Sequence, residues 1–372
     1  MLLEALVCGP LDIAFKTGFS HASATRQTTQ TLWVQAVGIS GATGIGEGCP
    51  RDYVSGETSQ SAQQFVRRFQ KDWIACINDM ASLARWADDH RLEIDQNPAA
   101  WAAVEIALID LIGKSTGRSA ESLLGLPELT GQFVYTAVLG DASVKAFAAQ
   151  LDQYVKAGFQ TFKIKLSGDR ERDLAKVMAL RDTGIDAAVV RADANNVWSD
   201  ALHASDFLAA LDFPFWAIEE PLRAGDLAGM LAISRARNCR IILDESLLRL
   251  EQIAPFAEEP AHWIVNLRVS KMGGLMRSLA MTHRLQAAGL ELIVGAHVGE
   301  TSVLTRASMT VAQAAGKSLL GQEGAFGTHL LMHDMVEPIL QFGARGALQT
   351  SMFGIAGMPG FGLHGNNVIA KI

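Results

Sequence analysis

Two lysines, Lys163 and Lys165, stand one residue apart in the run Thr161 to Leu166. Alternation along a strand puts both ammonium groups on one side, where like charge disfavours protonation and pushes one of them toward the neutral form a base requires. Asp193, Glu219 and Asp244 each close a later run, 26 and then 25 residues apart. Three carboxylates at equivalent points on neighbouring strands would converge, and converging anions need a cation. Oxygen-only ligation suits a hard divalent ion, Mg2+ first and Mn2+ second. A sixth run carries Asn266 and leads through Arg268 and Lys271 to Gly273-Gly274. In a ring of eight strands the sixth lies across from the second, so Lys165 and Lys271 are expected to face one substrate carbon from opposite sides. A base, an opposed acid and an electrophile together describe removal of the proton next to a carboxylate. The resulting enediolate has negative oxygens that a dication and nearby cations oppose.

Such side chains need rigid strand ends to aim them. Eight runs are expected as strands: Val134 to Leu139, Thr161 to Leu166, Ala188 to Asp193, Phe215 to Glu219, Arg240 to Asp244, Trp263 to Leu267, Glu291 to Ala296 and Leu319 to Gln322. They recur at roughly 25 to 30 residues with amphipathic stretches between, the rhythm of a (β/α)8 barrel, whose reactive residues sit at the carboxyl ends of strands. Before them, alternating runs such as Thr31 to Gly38 read as a small antiparallel sheet broken by the glycine-rich Gly41 to Gly48, and Thr58 to Leu124 reads as helical. Gly44-Ile-Gly46-Glu-Gly48 has neither the spacing nor the helix onset of a dinucleotide loop. The tail after about Glu337 is glycine-rich and is not another strand-helix unit.

The expected fold class is therefore α/β, a (β/α)8-type barrel with an α+β capping domain built from the N-terminal part and the C-terminal tail. The expected division is residues 1–127 for the cap, 128–338 for the barrel and 339–372 for the segment returning to the cap.

Composition removes other classes. With 49% hydrophobic and 19% charged residues the chain can bury large cores and is not of disordered type. A net charge of -7 repels a phosphate backbone, so no nucleic acid partner is expected. Met1 to Phe15 carries Glu4 and Asp12 and lacks a basic secretory opening, while the apolar stretch Ala99 to Gly113 is too short to span a bilayer and contains Glu105 and Asp110. Cys8, Cys49, Cys76 and Cys239 are scattered, as expected of reduced thiols in a cytoplasmic protein. The expected partner is a small-molecule carboxylate, bound by a homo-oligomer away from membranes.

Lys163-x-Lys165, Asp193-Ala-Asn195 with Trp198, Glu219-Glu-Pro221, Asp244-Glu-Ser246 and Lys271-Met-Gly-Gly274 follow one another in order, after Ala107 to Lys114 and Leu123-Leu-Gly125. Together they resemble the muconate lactonizing enzyme subgroup of the enolase superfamily, in the mandelate racemase/muconate lactonizing enzyme family, over nearly the whole chain. The resemblance implies that Asp193, Glu219 and Asp244 bind Mg2+. It makes Lys165 and Lys271 the acid/base pair, with Lys163 supporting Lys165. Enolase-superfamily sites as a class use a lysine or histidine base with Mg2+ on the enediolate, so this is what the family brings and not an independent result. The resemblance also implies cap loops near Phe15 to Arg26 and Pro50 to Gly56 that close the barrel mouth. Gly46 to Thr58 is similar to dipeptide epimerases, but their Asp-x-Asp after the last barrel strand has as its nearest counterpart only Asp334-Met-Val336. His297 is similar to the strand-seven base of the mandelate racemase subgroup. That subgroup's partner aspartate on strand six is here replaced by Asn266 and Lys271, so His297 is read as lining the pocket.

Asn195, Asn266, Arg268, His297, Glu300 and Thr301 are the expected supporting or substrate-binding residues. Glu220 and Glu245, next to ligands, are expected to point to the other side. The expected function is Mg2+-dependent abstraction of the proton alpha to a carboxylate, as a racemase or epimerase of an N-modified amino acid or dipeptide-like substrate. A cycloisomerase or dehydratase by the same half-reaction is the alternative. From another class, a barrel acting only as a binding protein would lack the intact acid trio and lysines.

Overall fold

The computed structural model describes residues 3–21, 24–324 and 329–365. In the first part β1 (Leu3–Leu11) is followed by a hairpin of β2 (Ala14–His21) and β3 (Ala24–Thr28), then by β4 (Thr31–Gly38) and β5 (Thr43–Gly48). An antiparallel sheet runs in the order β1-β4-β5. The glycine-rich run is thus itself a strand. Gly44, Gly46 and Gly48 alternate along it and face the Pro98–Thr116 helix, where a Cβ at Gly46 would stand 1.9 Å from the Ala103 carbonyl oxygen. Close backbone approach is what these glycines permit.

That helix is apolar on every side and buried over residues 98–113, as such a pattern demands. Pro98 opens it, and the Glu57 carboxylate accepts the free Ala99 and Ala100 amides at 2.8 and 3.0 Å. Its two interior acids work as caps and ties. Glu105 accepts the Leu275 and Met276 amides at the start of the Leu275–Ala287 helix, and Asp110 accepts Ile45 N and Phe361 N, each at 3.0 Å. The tail is thereby joined to the cap strands through one carboxylate. Residues 366–372 of the expected tail lie outside the described residues.

After β6 (Gln132–Val134) come eight parallel strands, β7 (Ala137–Leu139), β8 (Phe162–Lys165), β9 (Val190–Asp193), β10 (Ala217–Glu219), β11 (Arg240–Leu243), β12 (Trp263–Leu267), β13 (Glu291–Val294) and β14 (Leu319–Gln322). Each pairs with its sequence neighbour, and the curl closes where Tyr135 bridges Gln322 and Thr136 N donates to Gln322 O at 2.8 Å. Ala217, Ile242, Ile264 and Ile293 pack together as one interior layer. Because side chains alternate, Glu219 and Asn266, two positions further along their strands, point into the same interior one layer higher, and Asp244 follows directly on the end of β11. The fold class is the one expected, a β/α barrel with an N-terminal α+β cap. Among the described residues no helix is long and apolar enough to cross a membrane.

Cap and barrel also meet at Glu47 of β5, which accepts Thr301 N at 3.0 Å and Thr301 Oγ1 at 2.6 Å. Burial, with Glu300 and Asp334 nearby, pushes the Glu47 carboxyl from an ordinary 4.5 up to about 8. A raised folded pKa of an acid means that its stabilising contribution is full below the unfolded value and is lost as pH rises through the folded one. Thermal stability is therefore expected to fall between about pH 5 and pH 8, with part of that slope removed by Glu47→Gln, by an amount on the order of a few kcal/mol. Calorimetric melting of both proteins across that window checks it; identical slopes would discard the assignment.

Candidate active site

The carboxyl ends of β8 to β12 bring the candidate residues together. On β8 both lysines point inward, as their spacing requires. Lys165 Nζ donates to Asp193 Oδ2 at 2.5 Å and to Asn195 Oδ1 at 2.9 Å. Asn195 adopts a left-handed backbone, φ 46°, which asparagine tolerates, and its amide is held by Asp193 Oδ1 at 3.0 Å. Lys163 Nζ lies 3.1 Å from Glu219, 2.8 Å from Glu323 and 3.4 Å from Asp193. Burial alone would lower the Lys163 pKa, but Glu219, Glu323 and Asp193 outweigh it and raise it. The expected push of one lysine on the other toward neutrality is thus reversed at Lys163 by surrounding carboxylates.

Asp193, Glu219 and Asp244 are all buried, at neighbouring strand ends, with Glu219 in register with Asp193. Glu219 also accepts Asn266 Nδ2 at 2.8 Å, and Arg268 reaches Asp244 directly and Glu219 at 3.6 Å. Glu220, with φ 39°, accepts Asp244 N and Ser246 N at 2.6 and 2.8 Å, so it shapes the loop that carries Asp244, as expected of it. Burial, and next the charge of Asp193, pushes Glu219 above its ordinary range, with Glu323 and Asp244 adding to the effect. Mutual repulsion of this kind is what a hard dication relieves, and the donors are carboxylate oxygens, so the trio fits Mg2+. Among the described residues another set, Cys49, His297 and Glu300, brings ligand atoms within 4.8 Å of one another. Arg51 already donates to Cys49 Sγ at 3.3 Å, and a guanidinium there opposes a second cation.

A cavity of about 70 Å³ opens beside these groups, lined in part by Lys163, Lys165, Asn195, Arg268, His297 and Glu300. Phe19 and Tyr53 come to it from the two cap loops expected to close the mouth. Lys271 is buried outside the cavity lining, and its Nζ donates to Asp244 O, Asp244 Oδ1 and Asn266 O at 2.7, 2.8 and 2.7 Å, so it meets the acid trio at Asp244 as Lys165 meets it at Asp193. Arg268, just before the short Val269–Met272 helix, lines the cavity. Thr301 caps the Ser302–Ala315 helix and binds Glu47, outside the lining. One expectation needs correcting. Glu245 lines the cavity with Oε2 unbonded, although it follows a strand-end acid, since the chain no longer alternates once β11 ends at Leu243.

His297 is buried with both ring nitrogens free of hydrogen bonds, Nδ1 standing 3.3 Å from Glu300 Oε1. Burial, then the charges of Arg268, Arg51 and Lys271, hold its pKa well below the ordinary 6.5. Burial raises Glu300 to about 7. Glu323, which sequence reasoning passed over, accepts Lys163 and Arg191 at the cavity edge. The signal was present, since it follows β14 immediately and the strand-end rule would have selected it.

Residues 146–363 match the family model described as Enolase C-terminal domain-like. A hydrophobic dipeptide epimerase of Enterococcus faecalis is 28% identical over 81% of this chain and 84% of its own. An N-succinyl-L-Arg/Lys racemase of Bacillus cereus is 27% identical over 73% of each chain. The crystal structure of the Enterococcus faecalis dipeptide epimerase complexed with Mg and the dipeptide L-Leu-L-Tyr superposes with a TM-score of 0.83, at 25% identity, covering 98% of this chain and 99% of that one.

Proposed function

Because the chain belongs to the Enolase C-terminal domain-like family, in the mandelate racemase/muconate lactonizing branch of the enolase superfamily, we propose that it removes the proton alpha to a carboxylate through an enediolate, as a Mg2+-dependent racemase or epimerase. Its substrate in this reading is an N-modified amino acid or a dipeptide-like acid, the kind named for the Enterococcus and Bacillus relatives. One observation carries the reading: Lys165 enters the cavity with its ammonium 2.5 Å from Asp193, beside a buried trio of acids.

Lys165 in its neutral form takes the proton from one face of the substrate carbon. Lys271, in its protonated form, returns one to the other face; in the reverse direction the roles exchange, and His297 lines the pocket. Arg268 keeps its proton throughout and acts as a fixed positive charge where negative charge develops. Lys163 stays charged beside Glu219 and Glu323. Asp193, Glu219 and Asp244 would hold Mg2+, for which Mn2+ is an acceptable substitute, and when bound the ion supplies positive charge against the developing carboxylate dianion. The protein is read as a cytoplasmic homo-oligomer, in keeping with its free cysteines, with the working division 1–127, 128–338 and 339–372.

A specific observation favours a second reading as cycloisomerase or dehydratase. Both amines that line the cavity come from β8, and one-face chemistry needs Lys165 alone. NMR of candidate acids in deuterated water with Mg2+ distinguishes the two. Racemisation puts solvent deuterium on the alpha carbon and yields the second stereoisomer, whereas dehydration removes water and cycloisomerisation gives a constitutional isomer with a different spectrum. Chelation should stop either reaction and added Mg2+ restore it; exchange that survives the chelator would sink both.

A further inference from the structure

Beside the catalytic cavity lies a larger hollow of about 800 Å³. One wall is the Val144–Lys156 helix, through Ala146, Ala149 and Tyr154, and the other is built by His329 and Phe342. Phe19 and Leu330 line both spaces and form the threshold between them. At about 70 Å³ the inner cavity takes a carboxylate-bearing carbon and small substituents. Sites for whole small molecules usually measure about 300 to 1,000 Å³, so anything of dipeptide size must continue outward.

The lining defines what would follow it. Asp141 is neutralised by Arg172 at 3.0 Å and Lys176 at 2.9 Å, and His329 Nε2 is bonded to the Phe342 carbonyl at 2.7 Å. The alanines leave room and Phe159 and Phe342 offer apolar faces. An anionic or cationic tail would lose water here without gaining a counter-ion, whereas an apolar one gains burial.

We propose that this hollow is a distal subsite for an uncharged, apolar chain of the substrate, entered from the catalytic cavity past Phe19 and Leu330. The proposal rests on the carboxylate-directed reading of the inner site. Calorimetric titration of the Mg2+-loaded protein with butanoate and with decanoate tests it, since both acids present the same head and differ in reach. Decanoate is expected to bind at least about 10-fold more tightly than butanoate, through its additional buried methylenes. Ala146 is exposed on its helix, so Ala146→Trp should fold. It should reduce decanoate to the butanoate level with butanoate unchanged, and Ala149→Trp should do the same independently. Equal affinity for the two acids in the parent protein, or decanoate binding untouched by both substitutions, overturns the proposal. So does a change of sedimentation in Ala146→Trp with decanoate affinity intact, which would assign the groove to a second copy of the chain. Chain-length-dependent binding without any alpha-proton exchange would sink the proposed reaction and leave the subsite standing.

Discussion

Lys165→Ala is expected to lower Mg2+-dependent alpha-proton exchange by about 10²- to 10⁴-fold, the usual range for losing a positioned acid or base. The fold should survive, because Asn195 keeps its backbone bond to Asp193 and the neighbouring Lys163 still lies 3.4 Å from that carboxylate. Mg2+ affinity measured by titration calorimetry should hold or rise, since Asp193 loses an ammonium that competes for the same oxygen at 2.5 Å. That split between lost exchange and retained metal separates a proton-transfer role from a structural one. A variant exchanging protons at the parental rate would remove Lys165 from the mechanism.

The second large effect concerns the opposite face. Lys271→Ala removes the second expected acid/base group, whose ammonium lies 2.8 Å from Asp244 Oδ1. Formation of the second stereoisomer should fall by about 10²- to 10⁴-fold while deuterium exchange with retention at the Lys165 face continues. Chiral chromatography reads the first quantity and NMR the second. Epimerisation at an undiminished rate would exclude Lys271 as the second group. Loss of both signals together, with the fold intact, would give it a part in holding Asp244 instead.

The strand-end acids and the lysine pair were legible because strand alternation and the repeat length of a barrel are local, one-dimensional properties. Lys163, Lys165, Asp193 and Glu219 each end or nearly end a strand, and there the sequence position dictates the side-chain direction. Glu245 was misplaced because it lies beyond the end of β11, where no periodicity reveals a side chain's direction. The glycines of β5 looked like a loop because glycine signals backbone freedom without saying whether a turn or a neighbouring helix uses it.

By itself, then, the order of residues determined that a barrel forms, that it ends in three carboxylates and that two lysines share one strand face. Only the folded chain decided which cations reach the cavity. Arg268 faces it, Lys271 meets the acid trio at Asp244 outside the lining, and an imidazole seven strands into the ring arrives with its nitrogens unbonded. The physical reason is range. Periodicity fixes a side chain relative to its own strand, whereas charge compensation in a buried site depends on groups brought together from more than a hundred residues away, as Lys163 and Glu323 are.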